Sequence, residues 1–107
     1  MTPNEIDYLQ MQASAERASQ FLKSLSHQGR LLLLCQLSQG ELGVSELEKL
    51  TDIQQPSLSQ HLGVLRRDGL IAPRKVGKSV FYRISDPNVL TMLQQLYVMF
   101  CNSGENQ

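Results

Sequence analysis

The sequence predicts a mostly α-helical domain that carries one β-hairpin, and three observations support this fold class. Apolar residues recur at helical spacing in several separate stretches of the chain. Residues 70–84 instead alternate as strands do, and Gly77-Lys78 divides them where a tight turn is needed. The length of 107 residues suits a single domain, residues 1–107, with one modest core.

The first two helices are predicted from apolar spacing and from the residues that begin and end them. The first covers Glu5 to Ser24. Its apolar side is formed by Ile6, Leu9, Ala13, Phe21 and Leu25. Ser26 is expected to cap the second helix, whose central segment, Arg30 to Leu37, is apolar enough to require burial. Gly40 is expected to end this helix.

Two further helices follow. Ser45 to Glu48 reads S-x-x-E, a capping box that predicts a short third helix from Glu46 to Leu50. Pro56 fits the first position of a fourth helix, which runs to about Asp68 and ends at Gly69. One side of the fourth helix is apolar and is expected to face the core, through Leu58, Leu62 and Leu65.

The hairpin and a last helix complete the chain. The strands are predicted at Leu70 to Val76 and Ser79 to Ile84, and Asp86-Pro87 begins a helix from Pro87 to about Asn102. A short helix, a tight turn, a second helix and a hairpin, in this order, form a winged helix-turn-helix. The sequence therefore predicts about five helices and a two-stranded wing.

Cationic residues gather in one segment of a chain whose net charge is zero. From Gln55 to Arg83 there are six cations and one acid, a net charge of +5. A positive face on a neutral body attracts a polyanion, so double-stranded DNA is the expected partner. A solvated charged face is the alternative for any single cation.

The fourth helix and the wing supply the predicted DNA contacts. Small and amide side chains near a helix N-terminus suit base edges in a major groove, and arginine and lysine suit phosphates. For His61, a base or phosphate contact and a packing role are equally plausible. The predicted contacts are Gln55, Ser57, Ser59, Gln60, His61, Arg66, Arg67, Arg74, Lys75 and Lys78.

Four stretches, "LSHQGRLLLL", "VSEL", "SQHLGVLRRDGLI" and "RKVGKSVFY", resemble the ArsR/SmtB family of dimeric winged-helix repressors. The resemblance extends from about Ala13 to Cys101. It implies a homodimer built on the first and last helices, with one recognition helix per subunit binding an inverted repeat in operator DNA.

The last helix supports a partner surface independently of the resemblance. No charged residue occurs from Asn88 to Ser103, and apolar residues surround the helix. The predicted dimer interface is Leu90, Leu93, Leu96, Tyr97 and Phe100. The alternative is a helix that packs on one side only and leaves an apolar exterior.

The two cysteines, Cys35 and Cys101, are the remaining candidate site. Their setting resembles the BigR/SqrR branch of the family, which senses persulfides, and the hemolysin regulator HlyU is similar. The resemblance implies that reactive sulfur species or thiol oxidants link the two thiols by a disulfide or polysulfide bridge and release DNA. Two buried, inert thiols are the alternative.

Metal sensing is a second alternative, and the sequence argues against it. Gly43 and Ser45 stand where thiolate ligands of related metal sensors are expected, and Pro87 to Gly104 contains no His, Asp or Glu. Zinc needs about four such ligands, so no metal site and no cofactor are predicted.

An enzyme is not expected. His27 precedes Cys35 by eight residues, roughly 12 Å along a helix axis, too far for a thiolate–imidazole pair. A protein-interaction adaptor without DNA binding is a further alternative, disfavoured by the cationic segment. No signal-like leader or membrane-length apolar run is present, so a cytoplasmic protein without membrane contact is expected.

Overall fold

The computed structural model describes residues 5–102, which form five α-helices, a π-helical segment and a three-stranded antiparallel sheet. The elements are α1 (Tyr8–Leu25), α2 (Gln28–Leu37), β1 (Leu42–Gly43), α3 (Val44–Thr51), α4 (Ser57–Arg67), β2 (Ile71–Val76), β3 (Ser79–Ile84), α5 (Pro87–Tyr97) and the π-helical segment (Val98–Asn102). The winged helix-turn-helix fold is confirmed. The prediction of one domain over residues 1–107 includes residues 1–4 and 103–107, which lie outside the described ones.

Leucines from α2, α3 and α4 form the centre of the core. Leu33, Leu34, Leu47, Leu58 and Leu65 are all 0 % exposed. Side chains this enclosed each stabilise the folded state by about 1.5–3 kcal/mol relative to exposure. The predicted inward face of α4 is therefore confirmed, and its burial fixes which residues of α4 face solvent.

The end of α4 and the wing also match the sequence. Gly69 has φ of +78° directly after the helix, and the Leu70 N–H donates to the Leu65 carbonyl at 2.9 Å. This arrangement is a Schellman motif, which favours glycine. In the hairpin, Gly77 has φ of +61° at the turn between β2 and β3.

The predicted helix starts need correction. Ser26 does not cap α2, because its hydroxyl donates to the Lys23 carbonyl at 3.1 Å and so closes the end of α1. The cap is His27, whose Nδ1 accepts the Gly29 N–H at 2.9 Å. Histidine was overlooked as a cap because Ser, Thr, Asp and Asn are the preferred types.

The capping box predicted at Ser45 to Glu48 is also wrong. Helix α3 begins two residues earlier, at Val44, with Gly43 as its N-cap. The Glu46 carboxylate accepts the Gly43 N–H at 2.8 Å, so the bond from the glutamate back to the N-cap exists two residues earlier than predicted. Gly43 also belongs to β1, a strand that pairs with β3 and that the sequence did not predict.

The first and last helices also differ from their predicted bounds. Helix α1 begins at Tyr8 rather than Glu5, because the Asp7 carboxylate accepts the Leu9 N–H at 3.0 Å and caps it. Two residues of its predicted apolar side, Ile6 and Leu9, are 75 % and 73 % exposed. Helix α5 ends at Tyr97, and the predicted continuation to Asn102 is π-helical.

A polar junction joins α1 to the end of α4. The hydroxyl of Ser24, which is 1 % exposed, donates to the Asp68 carboxylate, and Gln20 Nε2 donates to the same carboxylate at 3.3 Å. The Arg67 guanidinium donates to it from α4 at 3.2 Å. The Ser24 bond, followed by the Arg67 bond, lowers the pKa of Asp68.

Replacing Ser24 by alanine should therefore destabilise the fold by about 1–2 kcal/mol at about pH 7, since a buried bond to a charged acceptor is lost. The pKa of Asp68 is lower when folded, so its stabilising effect is present at neutral pH and lost as the pH falls through that pKa. The difference in the free energy of unfolding between variant and wild type, measured with urea, should therefore become smaller as the pH is lowered from about 6 to about 3. Ser19→Ala is the control, because the exposed Ser19 hydroxyl bonds only its own helix. A pH-independent difference would contradict this assignment.

Candidate functional site

The N-terminal half of α4 presents a polar, exposed surface. Ser57, Ser59 and Gln60 are exposed, opposite the buried leucines of the same helix. Gln55 is exposed as well, and its side-chain oxygen accepts the Ser59 N–H at 3.0 Å. Gln55 therefore holds the first turn of α4, while the other three side chains are free to meet a ligand.

His61 is placed differently from the other predicted contacts. Its half-buried ring lies against His27, with ring centroids 4.3 Å apart. Burial, the nearby His27 and the nearby Arg30 lower the pKa of His61, so the ring is neutral at pH 7. Gly29 allows this approach, because a Cβ there would lie 3.0 Å from His61 Nε2. These contacts fit the packing role, and the DNA contact of His61 stays a prediction.

Cations cluster at the end of α4 and on the wing. Arg66, Arg67, Lys75 and Lys78 are exposed. Within residues 5–102, Arg67 bonds Asp68, whereas the side chains of Arg66, Lys75 and Lys78 have no hydrogen bond or ion pair. Three of the four therefore carry a charge without a partner in the part of the chain that the structure describes.

Arg74 differs from these cations because a carboxylate holds it. Its guanidinium binds Glu41 through N···O distances of 2.7 and 3.0 Å and lies 5.3 Å from the centre of the Phe81 ring. The bond to Arg74 lowers the pKa of Glu41, and the same bond raises the pKa of Arg74. Glu41 was missed at the sequence level because it lies 33 residues from its partner.

One cysteine lines a groove between α2 and α5, and the other lies in the continuation of α5. Cys35 lines this groove, of about 780 Å³, together with Leu90, Leu93 and Tyr97. Cys101 lies in the π-helical segment that continues α5, and both thiols are exposed rather than buried. Partial burial, and then the nearby Cys101 thiolate, raise the pKa of Cys35. The thiols are therefore close enough to interact electrostatically, and Cys35 is mostly protonated at neutral pH.

Apolar side chains are exposed around the groove and at the start of the chain. Of the predicted dimer residues, Leu90, Tyr97 and Phe100 are 41 %, 52 % and 73 % exposed. Leu93 and Leu96 are half-buried. Ile6, Tyr8 and Leu9, at the beginning of α1, are also strongly exposed. The single chain thus leaves uncovered apolar surface on both the first and the last helix.

Two other kinds of site are absent from residues 5–102. Within that range, no three His, Cys, Asp or Glu side chains come together in a group able to hold a metal ion. None of the described helices has the length and apolarity needed to cross a membrane.

Comparison with known proteins agrees with this architecture. The sequence profile described as "Bacterial regulatory protein, arsR family" matches residues 27–72, which run from the cap of α2 to the start of β2. The biofilm growth-associated repressor of Agrobacterium fabrum is 42% identical over 107 residues, which cover 97% of this chain and 92% of that protein.

Two solved structures show the same fold. The transcriptional repressor BigR from Xylella fastidiosa is 41% identical with a TM-score of 0.86, covering 90% of this chain and 98% of that one. Reduced HlyU from Vibrio cholerae is 39% identical with a TM-score of 0.80, covering 86% and 97%. The winged helix-turn-helix, the long shared sequence and the profile match agree: this chain is a transcriptional regulator that belongs to the ArsR family of bacterial regulatory proteins.

Proposed function

We propose that this protein is a homodimeric repressor that binds an inverted repeat in operator DNA and releases it when reactive sulfur species link Cys35 to Cys101. The observation that carries the proposal is the exposure of both thiols close to each other, with Cys35 in the open groove beside α5 and Cys101 in the π-helical continuation of α5, where Tyr97, Met99 and Phe100 are exposed. A chemical change at this pair reaches the proposed dimer interface directly.

Exposed side chains of α4 and the wing support the DNA-binding part. Gln60 and the serines of α4 have hydrogen-bonding groups suited to base edges, and Gln in particular pairs with adenine. Lys75 and Lys78 extend from the wing without partners in the described chain, as expected of phosphate contacts. Arg74 contributes less, because Glu41 already neutralises it.

Uncovered apolar surface supports the dimer. Phe100, Tyr97 and Leu90 are exposed in the described chain, and patches of this kind mark protein interfaces. A twofold arrangement would place two copies of α4 about one helical turn of DNA apart. The palindromic operator follows from that symmetry.

Exposure of both cysteines supports the sensing part. A thiolate that attacks the sulfane sulfur of a persulfide RSSH forms a cysteine persulfide and releases RSH. The second thiolate then attacks Sγ of the first cysteine and displaces HS⁻. The two thiols are oxidised to a disulfide, and the sulfane sulfur is reduced to hydrogen sulfide. A longer polysulfide donor leaves extra sulfur atoms in the bridge and relaxes its geometry.

The related proteins point the same way. The Agrobacterium relative is a biofilm growth-associated repressor, and one of the similar structures is that of reduced HlyU. In a reducing cytosol a cysteine pair is better suited to a switch than to a permanent crosslink.

Gln60→Ala should weaken binding to the operator by about 1–3 kcal/mol while leaving binding to random duplex nearly unchanged, because a base contact is lost. Lys78→Ala should weaken both and reduce the salt dependence. Fluorescence anisotropy at several salt concentrations measures the affinity for random duplex and for an operator selected from a random library. Gln12→Ala, an exposed glutamine on α1, is the matched control. An unchanged specificity ratio for Gln60→Ala would refute the role of α4.

Phe100→Glu should convert the protein into a folded monomer with reduced operator affinity, because the new charge would be buried unpaired in the dimer. Phe100 is 73 % exposed in the single chain, so the fold itself should tolerate the change. Analytical ultracentrifugation gives the oligomeric state. Leu50→Glu, at an exposed leucine of α3, should remain dimeric. A Phe100→Glu dimer, or a monomer with full operator affinity, would argue against this interface.

Inorganic polysulfide should release wild-type protein from operator DNA, and dithiothreitol should restore binding. The coupling free energy between bridge formation and operator binding should be about 1–3 kcal/mol, which lowers the affinity for DNA roughly 5- to 150-fold. Cys35→Ser and Cys101→Ser should each stay bound under the same treatment, and intact-mass analysis should show the bridge only in wild type.

The same samples test the alternatives. If polysulfide still released Cys35→Ser, the two-thiol switch would be wrong. If Zn²⁺ released fully reduced wild type at low micromolar concentration, the protein would be a metal sensor instead. If no treatment released it, the cysteines would be inert.

A further inference from the structure

The junction between α1 and α2 forms a cationic cleft against α4, and two of its cations, Lys23 and Arg30, lie outside the cationic segment from Gln55 to Arg83. This junction cleft has a volume of about 320 Å³ and lies between Lys23, Ser26 and Arg30 on one side and Val64, Arg67 and Asp68 on the other. Lys23 and Arg30 belong to the part of the chain that is acidic overall. The charge pattern of the sequence therefore gave no sign of this cleft.

Arg30 is fixed in the cleft by the backbone of α1. Its Nε donates to the Ser24 carbonyl at 2.6 Å and its Nη2 to the Lys23 carbonyl at 3.2 Å. The guanidinium therefore caps the last turn of α1, because the free carbonyls at a helix C-terminus attract a cation. A charge that is held by main-chain carbonyls keeps its positive value, and no carboxylate of residues 5–102 forms an ion pair with Arg30.

The cleft retains a net positive charge. Lys23, Arg30 and Arg67 line it against one carboxylate, that of Asp68. Asp68 already accepts bonds from Ser24, Gln20 and Arg67, and its side chain is only 14 % exposed. The exposed ammonium of Lys23 has no hydrogen bond or ion pair within the described chain. The cleft is thus suited to an anion of one or two charges.

Continuity with α4 identifies the anion. Val64 and Arg67 follow Ser57 and Gln60 on the same outward side of the helix, at helical spacing. When the N-terminal residues of a recognition helix contact bases, its later residues approach the edge of the major groove, which is about 12 Å wide. The phosphodiester backbone forms that edge.

We infer that the junction cleft binds a backbone phosphate of duplex DNA, with Lys23 as the principal contact and Arg30 and Arg67 as flanking charges. This inference depends on the proposed DNA binding and adds a contact from the first two helices. The contact carries no base information, and its role is to fix how α4 is seated in the groove. It also connects DNA to α1, the helix with exposed apolar residues at its other end.

Lys23→Gln tests the inference, because only the backbone of Lys23 takes part in the fold. Loss of one phosphate contact should make the slope of log affinity against log salt shallower by about 0.9, equivalent to a roughly fivefold weaker affinity at 0.15 M salt. Operator and random duplex should weaken equally. Lys23→Arg should bind like wild type, and Arg17→Gln controls for the loss of one cation from α1. Melting temperature and oligomeric state should not change.

A duplex with a single neutral methylphosphonate locates the contact. Scanned along one operator half-site, one position should weaken wild type as much as Lys23→Gln does, and the variant should lose no further affinity there. If Lys23→Gln kept the wild-type slope while Lys78→Gln lowered it, the cleft inference would be overturned and DNA binding retained. If wild type bound no duplex at all, the proposed function and the cleft would both be overturned.

Discussion

The burial of one row of leucines on α4 is the constraint on which the rest of this structure depends. Leu58, Leu62 and Leu65 are enclosed by the core, so α4 cannot rotate about its axis without exposing them. Their burial directs Gln60 and its neighbours outward and sets the angle at which α4 meets the wing. The Asp68 junction then fixes the far end of α4 to α1. Every other candidate function of the molecule is positioned relative to this helix.

Much of this arrangement is predictable from the sequence, because it depends on local patterns. The leucine spacing of α4, the Gly69 stop and the Gly77 turn each follow from helical period or from backbone conformation. What the sequence could not provide were contacts between distant residues. Glu41 meets Arg74 only because a two-residue strand aligns with the wing, and nothing near Glu41 indicates that pairing. The cap of α2 was missed since His27 is an unusual residue for the role.

The thiol pair and the proposed DNA surface lie on different parts of the fold, and in the proposed switch the helices between them would connect the two. Cys35 is on α2, whose first turn contacts α4 through the ring pair of His27 and His61. A shift of α2 toward α5 would therefore act at both ends of the same ten-residue helix. Close packing transmits such shifts, since leucines as enclosed as Leu33 and Leu34 leave little room to absorb them.

The change from α5 to a π-helical segment at Val98 has a geometric consequence for the chemistry of the pair. Hydrogen bonds in that segment close wider rings, so each residue turns through a smaller angle about the axis than the 100° of an α-helix. The direction in which the Cys101 sulfur points thus depends on how these five residues are wound. Rewinding them to α geometry would rotate this sulfur around the helix axis while the leucines of α5 stayed in place. A different winding of this one turn would therefore change the distance between the Cys35 and Cys101 sulfurs.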